Sequence, residues 1–451
     1  MQLKSKGFLL ASLASLALLQ ACKKNDVSNN STPSTGNNTS STNAVKDTAA
    51  MYAKDIYLWY NQIPTTFNGQ SYADPNTIME AIRQYSNEPG FSAPVDKWSF
   101  AMKQSEWNNL SNGVSADFGM NVFFFKEGDL RVKSVERTSP AGVAGIRRGW
   151  RITKINSSTN IATSNADFIS NAVWNSSNGT FTFQKPDGSS VDISLTAATY
   201  QEHPVYLDTV YTISSKKIGY LSFNSFLGDT NQVYSEFSRV FSKFANAGIS
   251  DLIVDLRYNG GGYVSVQQKL ADWLAPSSAN GQLMMKEQFN DRYTQYNSID
   301  SFKKLGSLNL SKIYFIVSHN TASASELLIN NLKPFVNVQL VGPSKTYGKP
   351  VGFFPIDDGD WYIFPVSFRS TNSQGQGNYF NGMDLNSQVA DGLDKDWGDV
   401  TETCLQSAIS SITTGAYKLA STSGETVRMR GVNDVLSAPE FKGAVEARRR
   451  K

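Results

Sequence analysis

Apolar positions along the chain change period several times, and each change marks a new kind of element. Between Val45 and about Leu110, Met51, Tyr52, Ile56, Leu58, Trp59 and Tyr60, then Ile78, Met79, Ile82 and Tyr85, recur at helical spacing. The two segments are separated by a stretch holding Pro64, Asn68, Gly69 and Pro75. Around Ser111 the period shortens to two, so that Gly119 to Phe125 and Leu130 to Val135 read as strands joined by the turn Lys126–Asp129. Pro140 at a first helical position and Gly149 as a stop bracket a short helix, after which a strand runs to Asn156. Beyond a linker at 199–210 the text alternates strand and helix. Lys217 to Phe226 is a strand, Val233, Phe237, Val240, Phe241 and Phe244 lie on one helical face, and Leu252 to Leu256 is a buried strand running into Gly260, Gly261 and Gly262. A helix through Val266, Leu270, Trp273 and Leu274 follows. The run Ile313 to Val317, apolar and β-branched, predicts a strand covered on both faces; small polar residues interrupt it at Ser318–Ser325, and Leu327, Leu328, Ile329, Leu332 and Phe335 then form a helical face.

This order predicts a multidomain α+β chain: an N-terminal helical region at 45–110, a β-domain at 111–199, and a layered α/β core with a parallel sheet at 200–416, followed by an extension at 417–451. A length of 451 residues is consistent with several cores. The net charge is +3 with both signs interspersed, which gives no reason to expect a nucleic-acid partner, and the basic end Arg448 to Lys451 reads as a solvated tail.

The N-terminus changes the picture further. Lys4 and Lys6, an apolar stretch from Gly7 to Leu19 and the ending Leu19-Gln-Ala-Cys22 form a targeting segment too short to span a membrane stably. The ending resembles the bacterial lipobox, which implies a lipoprotein signal peptide at 1–21 and a lipidated Cys22 that attaches the chain to a periplasm-facing membrane of the cell envelope. Cysteine usage agrees, since Cys22 and Cys404 are the chain's 2 cysteines and leave no disulfide framework. Residues 22–44, rich in Ser, Thr and Asn, read as a disordered tether.

Candidate chemistry gathers where strands end. Ser323 sits where a strand feeds a helix, among unpaired N–H groups and the positive end of the helix dipole. The same residues, Ser323-Ala-Ser-Glu326, also form a capping box, which needs no catalysis to explain it. The triple glycine after Asp255 permits close backbone approach and free N–H groups, but no Lys-Ser/Thr pair follows it, so it is not a phosphate loop. Carboxyl ends of parallel strands bring such loops together. A nucleophilic serine needs a base, and three are available: His203 in the linker, His319 on the serine's own turn, and Lys349, far enough downstream for one helix, one strand such as Val338 to Gly342 and a returning loop.

Two resemblances assign roles. Thr138-Ser-Pro-Ala141 with the strand ending Ile155-Asn156 resembles a PDZ domain over about Gly113 to Ala198, although Trp150 stands where Asp is usual. This implies that the loop Phe118, Gly119 and Met120 takes a peptide's terminal carboxylate, with Val122, Val143 and Ile146 flanking an apolar groove. Asp255 to Gly262, Thr321 to Glu326 and Thr346-Tyr-Gly-Lys349, after a PDZ-like domain and a signal peptide, resemble the C-terminal processing (tail-specific) serine peptidases. The resemblance implies a crotonase-like core, Ser323 as nucleophile, Lys349 as general base, and backbone N–H groups of Gly260 or Gly261 and Ala324 as the oxyanion hole. It calls for no cofactor and no metal, and its partners are polypeptide substrates. A lysine base requires burial to lower its pKa from about 10.4 toward about 7–8, which Tyr347, Phe353 and Phe354 would favour. The family often has Gln where this chain has Phe353, and Phe380-Asn-Gly-Met-Asp384 only loosely follows its pattern. The other reading, a silent peptide- or lipid-binding lipoprotein on the same fold, stems from that missing Gln.

Overall fold

A six-stranded sheet organises the core of the chain, and the computed structural model describes it within residues 37–418, 436 and 441–446. The expected signal peptide, Cys22 and most of the expected tether lie outside the described residues. The strands run in the order Ser387–Gln388, Asn337–Gly342, Lys312–Ile316, Asp251–Asp255, Lys216–Phe223 and Val205–Ile213. All neighbours are parallel except the last pair, which is antiparallel. Successive side chains of a strand face opposite ways, and this sheet buries both faces. Leu252, Val254, Ile313 and Phe315 enter one core, whereas Ile253, Tyr314 and Ile316 enter another, beneath the helix Thr403–Thr414.

The helix Thr230–Ala247 shows how sequence dictates packing. Val233, Phe237, Val240, Phe241 and Phe244 form its buried stripe, Asp229 caps its start by accepting from Asn231 N–H at 2.9 Å, and Gly248 ends it at φ 66°. The expected linker at 199–210 is structured instead. Ala198–Gln201 pairs with Val114–Asp117, and Val205–Ile213 closes the sheet edge.

Residues between Met120 and Thr196 form a separate five-stranded antiparallel sheet with its own core, including Phe118, Phe124, Leu130, Ile152 and Phe181. Met120–Lys126 is an edge strand of that sheet. Pro140 opens the predicted short helix, with Ser139 Oγ accepting from Gly142 N–H at 3.1 Å. The expected groove of Val122, Val143 and Ile146 does not exist, because Val122 and Ile146 point into the core while Val143 is 80% exposed.

The N-terminal region has no core of its own. Ala49, Ile56, Ile78, Trp98 and Trp107 join the cluster under the main sheet, and Phe100–Lys103 pairs antiparallel with Trp361–Phe364. The helix Asn37–Ile56 begins inside the stretch read as tether. Its buried stripe starts at Ala49 and runs through Ala53 to Ile56, and once a helix is nucleated there, extension into polar residues costs little. The C-terminal extension also returns to the core, where Gly443–Val445 forms a parallel strand with Gly261–Tyr263.

Arg257, at the carboxyl end of the Asp251–Asp255 strand, is buried and fully paired. Its guanidinium donates to Asp255 at 2.7 Å, Asp391 at 2.8 Å and Glu402 at 2.8 Å. Arg148 reaches in from the antiparallel unit to Asp391 at 2.8 Å and Tyr258 Oη at 2.9 Å. Burial raises the Glu402 carboxyl, but the neighbouring Arg257 charge outweighs it and holds the pKa down at about 2. That group therefore stabilises the fold fully above its ordinary value of 4.5, and the contribution is lost as pH falls toward about 2. Arg257→Ala, which takes the paired cation from Asp255 and Glu402 while Asp391 keeps Arg148, should destabilise the protein by about 3–5 kcal/mol in urea unfolding at neutral pH. The Glu402 part of the acid dependence should flatten in the same variant.

Candidate active site

Ser323 precedes the helix Ala324–Leu332 in a conformation that L-residues rarely adopt, with φ 57° and ψ −108°. Holding a non-glycine residue there costs on the order of 1–3 kcal/mol, so the surrounding bonds must impose it. Glu326 supplies them. Its Oε2 accepts from the backbone N–H groups of Ser323 at 2.9 Å and Lys349 at 2.8 Å. Its Oε1 accepts from Thr346 Oγ at 2.6 Å and Gly348 N–H at 2.7 Å. One carboxylate thus fastens the serine turn to the lysine loop, and the two nitrogens on Oε2 can be no farther apart than those two bonds laid end to end. Ser323 and Glu326 stand in the arrangement of the expected capping box, in which the Glu326 half is bonded at 2.9 Å while Ser323 Oγ makes no hydrogen bond of ordinary geometry among the described residues.

Burial pushes the Glu326 carboxyl up from its ordinary value, against its four hydrogen bonds. Three of the four neighbours are backbone N–H groups, which can only donate, and this favours the carboxylate. The lysine loop is closed from the far side by the Phe380–Asp384 stretch. Met383 N–H donates to Thr346 Oγ at 2.8 Å, and Gly348, at φ 94°, lies where a Cβ would fall 2.3 Å from Phe380 O.

Lys349 is 1% exposed, and burial drives its pKa well below the ordinary value; the Asp96 charge opposes the shift more weakly. Its Nζ lies 3.7 Å from the centre of the Phe353 ring and 5.6 Å from that of Trp98. Phe353, at the position where glutamine was expected, is thus one wall of an aromatic box around the amine. Ring faces attract an ammonium, but loss of hydration is the larger effect in a buried site. Nζ donates to Lys442 O at 3.1 Å. Trp98 and Lys442 come from the two ends of the chain, in stretches where the sequence showed no catalytic pattern. Both lack periodicity or motif, and only their position along a folded path reveals them.

The glycine turn meets the serine turn directly. Ala322 N–H and Ser325 Oγ both donate to Asn259 O at 3.0 Å. Gly261 has φ 107°, and a Cβ there would stand 3.0 Å from Ala324 N. Gly261 N–H is directed to Asn259 Oδ1 at 2.9 Å. Of the expected oxyanion donors this leaves Gly260, beside the serine turn, and Ala324, whose N–H has no intrahelical acceptor at the first helical position.

The two histidines are placed elsewhere. The His203 ring lies 3.2 Å from the Glu136 carboxylate, and His319 is exposed with its ring against Tyr347, centroids 5.1 Å apart. In the loop Phe118, Gly119 and Met120, Gly119 N–H donates to Asp117 Oδ1 at 2.6 Å. One donor expected for a peptide carboxylate is therefore already spent on a carboxylate. The side chains of Phe118 and Met120 are buried in the core of their sheet. Gly119, Met120, Asn121 and Trp174 line a cavity of about 530 Å3 that extends to Gly260 and Phe441. Trp174 Nε1 donates to Asn121 Oδ1 at 3.2 Å across it. No group of His, Cys, Asp and Glu among the described residues could hold a metal ion.

Residues 217–372 match the family described as peptidase family S41. The chain is 28% identical over 260 residues to the probable CtpA-like serine protease of Staphylococcus aureus strain N315, covering 57% of this chain and 49% of that protein. It is 26% identical over 259 residues to the protein of the same description from Staphylococcus epidermidis strain ATCC 35984. The chain spans about half the length of the curated relatives it matches. In fold it is similar to a putative S41 protease from Bacteroides fragilis NCTC 9343, with a TM-score of 0.66 and 23% identity over 81% of this chain and 97% of that one. The stretch that matches peptidase family S41 contains the glycine turn, the Ser323 turn and the Lys349 loop.

Proposed function

We propose that the chain is a serine endopeptidase of the C-terminal processing type that uses Ser323 and Lys349 as a dyad. The observation that carries this reading is the single buried carboxylate, Glu326, holding the backbones of both residues while leaving Ser323 Oγ without a hydrogen bond. Neutral Lys349 takes the Oγ proton as Oγ bonds to the substrate carbonyl carbon. The carbonyl oxygen becomes an oxyanion facing the N–H groups of Gly260 and Ala324. Collapse of this intermediate breaks the C–N bond, and the lysine ammonium gives its proton to the leaving amine. Water then releases the acyl group with the lysine again acting as base.

In this reading the substrate is an extended polypeptide. The PDZ-like unit takes its C-terminal part along the edge strand Met120–Lys126, beside the cavity that reaches Gly260. The lipobox-like ending at Cys22 supports attachment to the envelope membrane.

Ser323→Ala should abolish labelling by a fluorophosphonate and lower casein cleavage by about 10³-fold or more. Its unfolding midpoint should stay nearly unchanged, because the lost oxygen makes no hydrogen bond. Labelling that persists in this variant would exclude Ser323 as nucleophile. Lys349→Met tests burial of the amine through stability alone. Because the folded pKa is depressed, the folded state holds fewer protons at this site than the unfolded one below the ordinary value of 10.5. The variant should therefore melt higher than the parent at neutral pH, with the gain shrinking toward zero as pH rises through 10.5. For membrane attachment, Cys22→Ala should move the protein from the membrane to the soluble fraction of the cell envelope.

A further inference from the structure

The slot beside the dyad is already filled by a segment of the same chain. Gly443–Val445 lies parallel to Gly261–Tyr263, pairing Gly261 with Gly443, Gly262 with Ala444 and Tyr263 with Val445. Gly443 N–H donates to Gly260 O at 3.0 Å. On the opposite side Phe353 N–H donates to Ala444 O at 3.1 Å, and Glu446 N–H donates to Phe353 O at 3.0 Å. The segment is therefore bonded through its main chain on both flanks, and Ala444 and Val445 are 4% and 1% exposed. Two side chains anchor its start. Phe441 packs edge-on against Trp107 at 5.5 Å, and Lys442 Nζ donates to Asn320 Oδ1 at 3.1 Å, next to the serine turn.

Its fit against the reacting groups is close. A Cβ on Gly261 would lie 2.4 Å from Gly443 O and 3.0 Å from Ala324 N, so Gly443 and the start of the serine helix press on the same glycine. Lys349 Nζ donates to Lys442 O, and Ser323 Oγ makes no hydrogen bond among the described residues. The amine is thus engaged by the segment, and the contact that would carry the serine proton is not made.

We infer that Phe441–Glu446 is an intramolecular competitor that occupies the substrate-backbone slot between Gly260–Tyr263 and Phe353 and holds the site inactive until an incoming polypeptide displaces it. This rests on the reading of Ser323 and Lys349 as the reacting pair. Without the segment, the slot presents main-chain donors and acceptors from both walls, which suits an extended peptide of almost any sequence. Close walls select small residues at its centre, where this chain has Gly443 and Ala444. A Cβ on Gly443 would fall 2.7 Å from the ring of Phe353, which belongs to one wall.

The test compares fluorophosphonate labelling of Ser323 in the full chain, in full-length Ala444→Arg, which puts a long charged side chain where the parent residue is 4% exposed, and in a chain ending at residue 440. Both altered chains should label at least about tenfold faster, the factor lost by a site open in under about a tenth of the molecules. A synthetic peptide of residues 441–451 should return the shortened chain to slow labelling in a saturable way, and the same peptide carrying Ala444→Arg should not. Equal rates in the parent and folded Ala444→Arg overturn the inference, whether or not the shortened chain folds. So does Ser323-dependent cleavage inside 441–446 seen by intact mass, which would make the segment a substrate. If no form labels, the dyad reading fails, and the slot is then read by fluorescence anisotropy with a labelled 441–451 peptide on Ala444→Arg. Saturable binding supports the seat, and no binding removes it.

Discussion

The Glu326 carboxylate is the interaction on which the site depends. An isolated buried carboxylate costs several kcal/mol, and this one is tolerated because four donors surround it. Three of them are backbone N–H groups, so what the carboxylate fixes is the course of two loops. It forces Ser323 into its strained conformation and places Lys349 across from it. Its negative charge also acts to raise the lysine pKa, yet burial of the amine prevails. The carboxylate binds the lysine's backbone, and aromatic rings enclose its side chain.

The sheet supplies the second constraint. Parallel strands deliver the glycine turn after Asp255 and the serine turn after Ile316 to the same edge, and Asn259 joins them by accepting from Ala322 and Ser325. Upstream of Asn259, Arg257 and Tyr258 belong to a buried ionic network that includes Arg148 of the antiparallel unit. The position of that unit is therefore linked to the glycine turn through one residue of chain on either side of Tyr258. The links are charged and dry, and they have few alternative arrangements of similar energy.

Local pattern made the strand–turn–helix at Ser323, the glycine turn and the downstream lysine legible, because each depends on residues close in sequence or on the fixed geometry of parallel strands. The aromatic box was legible only in part. Phe353 stood out as a departure from the usual glutamine, but Trp98 belongs to an aperiodic stretch whose role depends on a long-range fold. Gly443–Val445 is only a three-residue strand, too short to show a period, and it is defined entirely by its two flanks. The groove assigned to Val122, Val143 and Ile146 failed for another reason: apolar residues next to a binding loop were read as its walls when two of them fill the sheet's own core. The stretch 199–210 looked like a linker because an edge strand with one polar face has no continuous apolar run.

The covalent continuity of the Gly443–Val445 strand with its slot sets a scale for anything that enters. A segment joined to its own site acts at an effective concentration that dilution does not change, on the order of millimolar for typical tethered pairs. A free polypeptide present at micromolar levels, making the same main-chain bonds, starts at a disadvantage of about 10³ by the same reckoning. It can recover this only by gripping the protein at a second place. The cavity running from Gly119 to Gly260 and Phe441 adjoins the slot and offers such a place. If the segment competes as inferred, the protein would select its targets by how many sites they span at once, and a short fragment with the right central residues would still be outcompeted.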